Sequence, residues 1–226
     1  AREKGLNVVS YSVQGEMTIA NPQWMQARIT GTNEGGGYDF SAMTNLGVAA
    51  AGVVNVSLQV PGEHNVRNAL AVTAAAAEQG VPAQEITTAL ASFRGVQRRL
   101  EERGEADGIL VLDDFAHHPT AIAETLRAVR RRYAGRKVWA VLEPRSWSLR
   151  RNVFQERLPA CFEFADEVIL AAVYGAEEVP ASSRLDPERI VRELGIRGKP
   201  AQYLPDVPAI VAHLTAAARP GDVVVA

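Results

Sequence analysis

The sequence predicts an α/β protein: a parallel sheet with helices on both faces, preceded by a smaller, strand-rich unit. Three observations carry this. From Gly108 onward, short and almost continuously apolar runs alternate with amphipathic helical patterns, as expected for strands buried on both faces. Residues 1–60 instead show brief runs rich in β-branched and aromatic residues, in the alternating manner of half-buried strands. Between the two lies a polar, charged stretch, "RGVQRRLEERGEADG", so the junction is placed near Gly95, with units 1–95 and 96–226.

In the first unit the predicted strands are "LNVVSYSV", "WMQARITG", "GYDFSA" and "VVNVSLQV". "GTNEGGGYD" reads as a hairpin loop, because glycine tolerates the positive φ of tight turns. "PGEHNVRNALAVTAAAAEQGV" is an alanine-rich helix running to Gly80, a good C-cap, and "PAQEITTALASF" is a second helix with Pro82 near its first turn. The second unit alternates "ILVLD", helix 119–133, "KVWAVLE", helix 150–162, "EVILAAV", helix 186–194, "AQYLP", helix 206–218 and "DVVVA". In helix 119–133, Ile122, Leu126, Val129 and Tyr133 recur at helical spacing, and "RRR" at 130–132 suits the negative end of the helix dipole. In such sheets ligands gather at the carboxyl ends of the strands. Asp113, Asp114, Glu143, Arg145 and Tyr174 are all expected at that end.

Composition narrows the function. The 226 residues carry 24 Lys plus Arg against 26 Asp plus Glu, so no basic face for nucleic acid or an anionic membrane is expected. The single Cys161 excludes an intramolecular disulfide and a thiolate metal cluster, and fits a reducing cytoplasm. No apolar stretch reaches the ~18 residues of a membrane span. The chain does not begin with methionine, so a longer parent chain is expected.

Four motifs carry the candidate chemistry. "LVLDDFAHHPTAI" (110–122) sets Asp113, Asp114, His117 and His118 at the tip of a strand. Pro119 with a cap at Asp114 or His118 explains part of it as helix initiation. A metal centre is a second reading, but adjacent histidines project in different directions and the remaining histidines are His64 and His213. A nucleotide or substrate clamp fits better, with a carboxylate for sugar hydroxyls and imidazoles at a helix N-terminus where anions gather. "PGEHNVRNAL" places Asn65 and Asn68 on one helical face, and carboxamides match the adenine edge, although Asn65 alone could be a cap. "GVQRRL" holds Arg98 and Arg99, either solvated surface charges or phosphate ligands. "EPRSWSLRRNVF" brings Arg145, Arg150 and Arg151 to a predicted helix start, suited to a carboxylate.

Taken together and in this order, "PGEHNVRNALAV", "GVQRRLE" and "DDFAHHPTAI" resemble the latter half of the Mur ligase family, ATP-dependent enzymes that join amino acids or peptides to UDP-N-acetylmuramate. With "LEPRSWSLRRNVF", the chain is most similar to the branch that recycles the murein tripeptide L-alanyl-γ-D-glutamyl-meso-diaminopimelate, and next to the L-alanine-adding branch, which has a "QPHR"-type stretch where this chain reads "EPRS". The resemblance implies the end of a central ATP-binding domain (1–95) and a Rossmann-like ligase domain (96–226). The UDP-binding domain, the phosphate loop and most magnesium ligands would lie elsewhere in the chain, and these 226 residues alone are expected to be inactive.

The same resemblance assigns roles. His64, Asn65 and Asn68 match the adenine-contacting helix, Arg99 the junction arginine reaching ATP, and Asp114 the nucleotide-contacting aspartate. His117 and Arg145 match positions facing the incoming amine. At Ser148 the alanine-adding relatives tend to have a second arginine, so Arg150 is the substitute candidate for anchoring a peptide. Arg99 and His117 are the candidate catalytic residues, and no metal ligand is expected here. The implied substrates are ATP with Mg²⁺, UDP-N-acetylmuramate and the murein tripeptide or L-alanine. In the implied chemistry a carboxylate takes the γ-phosphoryl group as an acyl phosphate, and the amine then displaces phosphate, a task of positioning and charge stabilisation. The competing class is a nucleotide- or peptide-binding module without chemistry of its own.

Overall fold

The computed structural model describes residues 8–14, 23–47 and 52–226. The start of the expected "LNVVSYSV" strand, Leu6 and Asn7, lies outside them. The chain forms two compact units, Ala1–Gly95 and Val96–Ala226.

In the first unit four strands lie in chain order: β1 (Val9–Val13), β2 (Gln23–Thr32), β3 (Tyr38–Thr44) and β4 (Val53–Leu58). β1 runs parallel to β2, and the other pairs are antiparallel. The β2–β3 turn is closed by Asn33, whose side-chain oxygen accepts the Gly37 N–H at 2.9 Å, and Gly36 supplies the positive φ of 76°. Alternation in β3 and β4 buries Phe40, Ala42, Val54, Val56 and Leu58 on one face. That face is covered by Val66 and Leu70 of α1 (Glu63–Glu78) and by Ile86 and Leu90 of α2 (Ala83–Ser92). Full burial of such a side chain contributes about 1.5–3 kcal/mol.

The second unit is a six-stranded sheet ordered β5-β6-β10-β7-β8-β9. Its strands are β5 (Glu101–Ala106), β6 (Ile109–Asp113), β7 (Val138–Leu142), β8 (Glu167–Leu170), β9 (Ala201–Tyr203) and β10 (Val223–Val225). All pairs are parallel except β5 with β6. One face, with Leu112, Val138, Leu170 and Val223, packs under α3 (Pro119–Arg132), α4 (Leu158–Cys161) and α5 (Pro187–Ile196). The other, with Trp139, Ile169 and Val224, packs against α6 (Val207–Ala217) through Ile210. The expected parallel sheet with helices on both faces is what forms.

Two expectations are corrected. Helix 150–162 reduces to one 3₁₀ turn at Asn152–Phe154 and the four residues of α4. Arg151 instead forms an isolated bridge with Arg184, and the Leu185 N–H bonds the Arg150 carbonyl, so tertiary pairing claims the segment's backbone. The charged "EERGEA", read as linker, is β5, an edge strand whose side chains are mostly exposed. Charge along a sheet edge discourages further strand pairing.

β10 slots between β6 and β7, and Asp222 secures its entry. Its buried carboxylate accepts the Trp139 indole N–H at 2.8 Å and the Arg219 N–H at 3.0 Å. At the other end, Asp114 N–H bonds the Ala226 carbonyl at 2.8 Å. The carboxyl ends of β6, β10 and β7 therefore share one rim.

Candidate functional site

At that rim, β6 ends in Asp113, and six residues later α3 begins at Pro119 with His118 as its N-cap, accepting the Thr120 N–H at 3.2 Å. His118 also meets the Phe154 ring edge-on at 4.9 Å. It is a structural cap. His117 differs: its Nδ1 lies 3.0 Å from the Phe115 carbonyl. A carbonyl only accepts, so that nitrogen carries the proton, and Nε2 is the ring nitrogen left facing outward in an exposed position.

Asp114 is heavily engaged. One carboxylate oxygen accepts the Leu100 N–H at 2.9 Å, and the other accepts the Ala116 N–H at 2.9 Å and the Thr125 hydroxyl at 3.1 Å. A carboxylate has about four acceptor sites, so roughly one remains for a ligand.

The backbone around Arg99 is strained: Arg98 and Leu100 have φ of 58° and 49°, the left-handed region non-glycine residues avoid. Three bonds hold it, Leu100 N–H to Asp114, Arg98 N–H to Glu101 at 2.8 Å, and Phe115 N–H to the Arg98 carbonyl at 2.8 Å. Strain that is over-determined in this way clusters at functional sites. The guanidinium carbons of Arg98 and Arg99 lie 5.1 Å and 5.8 Å from the half-exposed Phe115 ring, and the His117 ring is 5.1 Å from it. Sequence reading passed over Phe115. An aromatic residue inside a polar strand-end loop was the available signal.

Across the rim, Arg145 is largely exposed. Its guanidinium sits 4.1 Å over the Tyr174 ring and 3.5 Å from Glu143. Ser148 is partly exposed in the same loop. Arg150 is different in kind: its side chain is 12% exposed, and its Nη2 donates to Glu178 at 2.6 Å and to the Gly175 carbonyl at 3.0 Å. It is bound within the protein and does not stand ready as a substrate anchor. A groove of about 1240 Å³ contains Asp114, His117, Glu143 and Arg145 at one end and continues down the apolar sheet face past Val111 and Leu214.

In the first unit, Gly62 opens α1 at φ 95°, and a Cβ there would come within 2.4 Å of the His64 ring. Asn68 Nδ2 donates to Asn65 Oδ1 at 3.2 Å, and Asn65 Nδ2 donates to the Pro61 carbonyl at 2.7 Å. The helical spacing thus brings the two carboxamides into contact. Among the described residues no group of three or more His, Cys, Asp or Glu could hold a metal ion. With Asp114 engaged by protein donors, these residues do not compose a magnesium site.

Perturbed titration lies away from the rim. Burial pushes the Cys161 thiol up to about 12. Burial and a hydrogen bond to Glu102 push Tyr133 up to about 12. For Asp166, burial works upward but is outweighed by the Arg130 hydrogen bond, the Val138 N–H and the Arg130 and Lys199 charges, which hold the carboxyl below 3.8.

A mostly parallel six-stranded sheet of this order is an α/β fold of the class that gathers ligands at the carboxyl ends of its strands. Residues 98–226 match the family model described as Mur ligase, glutamate ligase domain, and the chain belongs to the Mur ligase family. It is 38% identical over 206 residues to the UDP-N-acetylmuramate–L-alanine ligase of Chloroflexus aggregans, covering 91% of this chain and 43% of that protein. It is also 38% identical over all 226 residues to the enzyme of the same name from Paramagnetospirillum magneticum, 46% of whose length is covered. The crystal structure of a murein peptide ligase from Psychrobacter arcticus superposes with a TM-score of 0.65 at 28% identity, covering 96% of this chain and 42% of that one. The chain spans less than half the length of these relatives.

Proposed function

We propose that this chain is the nucleotide- and acceptor-binding portion of an ATP-dependent ligase that forms an amide between UDP-N-acetylmuramate and an incoming amine, with L-alanine as the acceptor. The family membership supports the ligase chemistry, and the curated relatives at 36–38% identity, all named for L-alanine, support the acceptor. The observation that carries the site is the shared rim on which His117 and Arg145 line one groove. Arg145 would receive the acceptor carboxylate, a charge-assisted contact. His117, whose Nδ1 is turned to the Phe115 carbonyl, would use its neutral form's Nε2 to take the proton that the α-ammonium must lose before its nitrogen attacks the acyl phosphate. Arg99 and Asp114 in the second unit are candidate ATP contacts, and so, taken separately, is the Asn65–Asn68 pair in the first.

A second reading, with the murein tripeptide as acceptor, is favoured by "EPRS" with Ser148 in place of a second arginine and by the likeness to the Psychrobacter arcticus structure. Arg150 is paired with Glu178, so a role as peptide anchor would require that pair to open. The deciding measurement is kcat/KM of the full-length enzyme with L-alanine and with tripeptide. A preference for L-alanine of at least about tenfold supports the main reading, since ~1.4 kcal/mol separates acceptors by that factor. A tenfold preference for tripeptide installs the second, and turnover of neither refutes the ligase proposal.

A further inference from the structure

The β7 and β8 loops meet at a clasp whose role none of the assigned residues explains. Arg150 belongs to the loop after β7, and its backbone N–H bonds the Ser146 carbonyl at 3.0 Å. Its guanidinium reaches the loop after β8, where a single nitrogen, Nη2, holds both Glu178 and the Gly175 carbonyl. The neighbouring Nε is buried with no hydrogen-bond partner. A buried donor left unpaired is costly, so the polar contacts that hold this side chain are those of Nη2. Gly175 has φ 56°, and a Cβ there would crowd Arg150 Nη2 at 3.4 Å, so glycine both makes the turn and clears the clasp. The residue before it is Tyr174, whose N–H bonds the Pro144 carbonyl at 3.1 Å and whose ring carries the Arg145 guanidinium at 4.1 Å.

We propose that Arg150 is a positioning residue for acceptor binding: by fastening Gly175 and Glu178, it holds Tyr174 beneath Arg145 and so aims the Arg145 guanidinium at the acceptor carboxylate. This rests on the acceptor site proposed above. It separates sharply from a role for Arg150 as a direct anchor. A positioning clasp depends on Glu178, whereas a direct anchor would be released by losing Glu178. Because one nitrogen makes both contacts, a lysine ammonium can replace it, whereas a forked bidentate carboxylate anchor would not tolerate lysine.

The test uses the full-length enzyme with the better of the two acceptors. Glu178→Gln, Arg150→Met and Tyr174→Ala should each raise the acceptor KM by about tenfold, with ATP KM within about twofold. Arg150→Lys should stay within about threefold of wild type. Arg150→Met combined with Tyr174→Ala should cost little more than either alone, because both act through Arg145. An unchanged acceptor KM in Glu178→Gln, an equal rise in both KM values, or additive losses in the double variant would each overturn the proposal. A readout independent of turnover is the rate at which phenylglyoxal modifies Arg145, followed by peptide mass spectrometry. Glu178→Gln should speed it by at least about threefold by freeing the guanidinium from the ring, and an unchanged rate overturns the clasp. If wild type ligates neither acceptor, the ligase reading fails while the modification rate still decides the clasp.

Discussion

Asp114 and Leu100 are joined by a 2.9 Å hydrogen bond from the Leu100 N–H to the Asp114 carboxylate, and the strained Arg98–Leu100 segment that presents Arg99 depends on it. A residue carried forward as a nucleotide ligand is therefore also the brace of its neighbour. Asp114→Ala removes three accepted hydrogen bonds, and for a partly buried carboxylate we expect a loss of about 2–4 kcal/mol in urea unfolding. Asp114→Asn keeps one oxygen acceptor and should lose about half as much, while the full-length enzyme's ATP KM rises or its kcat falls by about tenfold or more. Wild-type stability in Asp114→Ala contradicts the bracing role. Wild-type kinetics in Asp114→Asn contradicts the nucleotide role.

Asp166 gives the second unit an acid-sensitive staple. Its carboxylate bonds Arg130 at 2.5 Å and the Val138 N–H at 2.7 Å, tying α3 to the start of β7. Because its folded pKa is lowered below 3.8, its contribution is complete above that value and fades as pH falls through the lower folded value. The side chain is 43% exposed, so solvent screening limits the contribution to about 1 kcal/mol. Asp166→Asn should therefore be less stable than wild type by about that amount near pH 7, with the gap narrowing once pH falls below the ordinary carboxylate value of 3.8. A gap independent of pH would show that the carboxylate's charge plays no part.

Cys161 is buried, its thiol donates to the Leu158 carbonyl, and burial pushes its pKa up to about 12. Thiolate is the reactive form. Under native conditions near pH 8 we expect negligible labelling by a thiol-specific disulfide reagent, and one equivalent after unfolding in guanidinium. Rapid labelling of the native protein would mean that α4 opens without global unfolding.

What the sequence revealed tracks what is local. β6 reads directly from "ILVLD", because its apolar run is continuous and ends in two aspartates. α3 reads from Pro119 and the spacing of Ile122, Leu126 and Val129. β5 was missed because an edge strand of "EERGEA" has the composition of a linker, and only its pairing with β6 makes it a strand. The helix expected at 150–162 failed because the bridge between Arg151 and Arg184 spans residues no local window joins. The candidate site divides in the same way. The Asn65–Asn68 contact follows from helical spacing, whereas the partners of Arg150 come from another loop, and no motif announces them.

The place of β10 has a consequence for how the molecule is made. β6 and β7 are neighbouring strands in sequence, yet neither pairs with the other; both wait for β10, which is synthesised well after them. Until Val223–Val225 arrives, the nascent second unit holds two open, apolar strand edges and has no continuous sheet on which to condense. Its folding therefore closes a long loop in a single late step, which places its barrier in non-local pairing and exposes it to aggregation while the ribosome is still at work. The same event sets Asp114 against Ala226 and so completes the rim: the site comes into being only once β10 is in place.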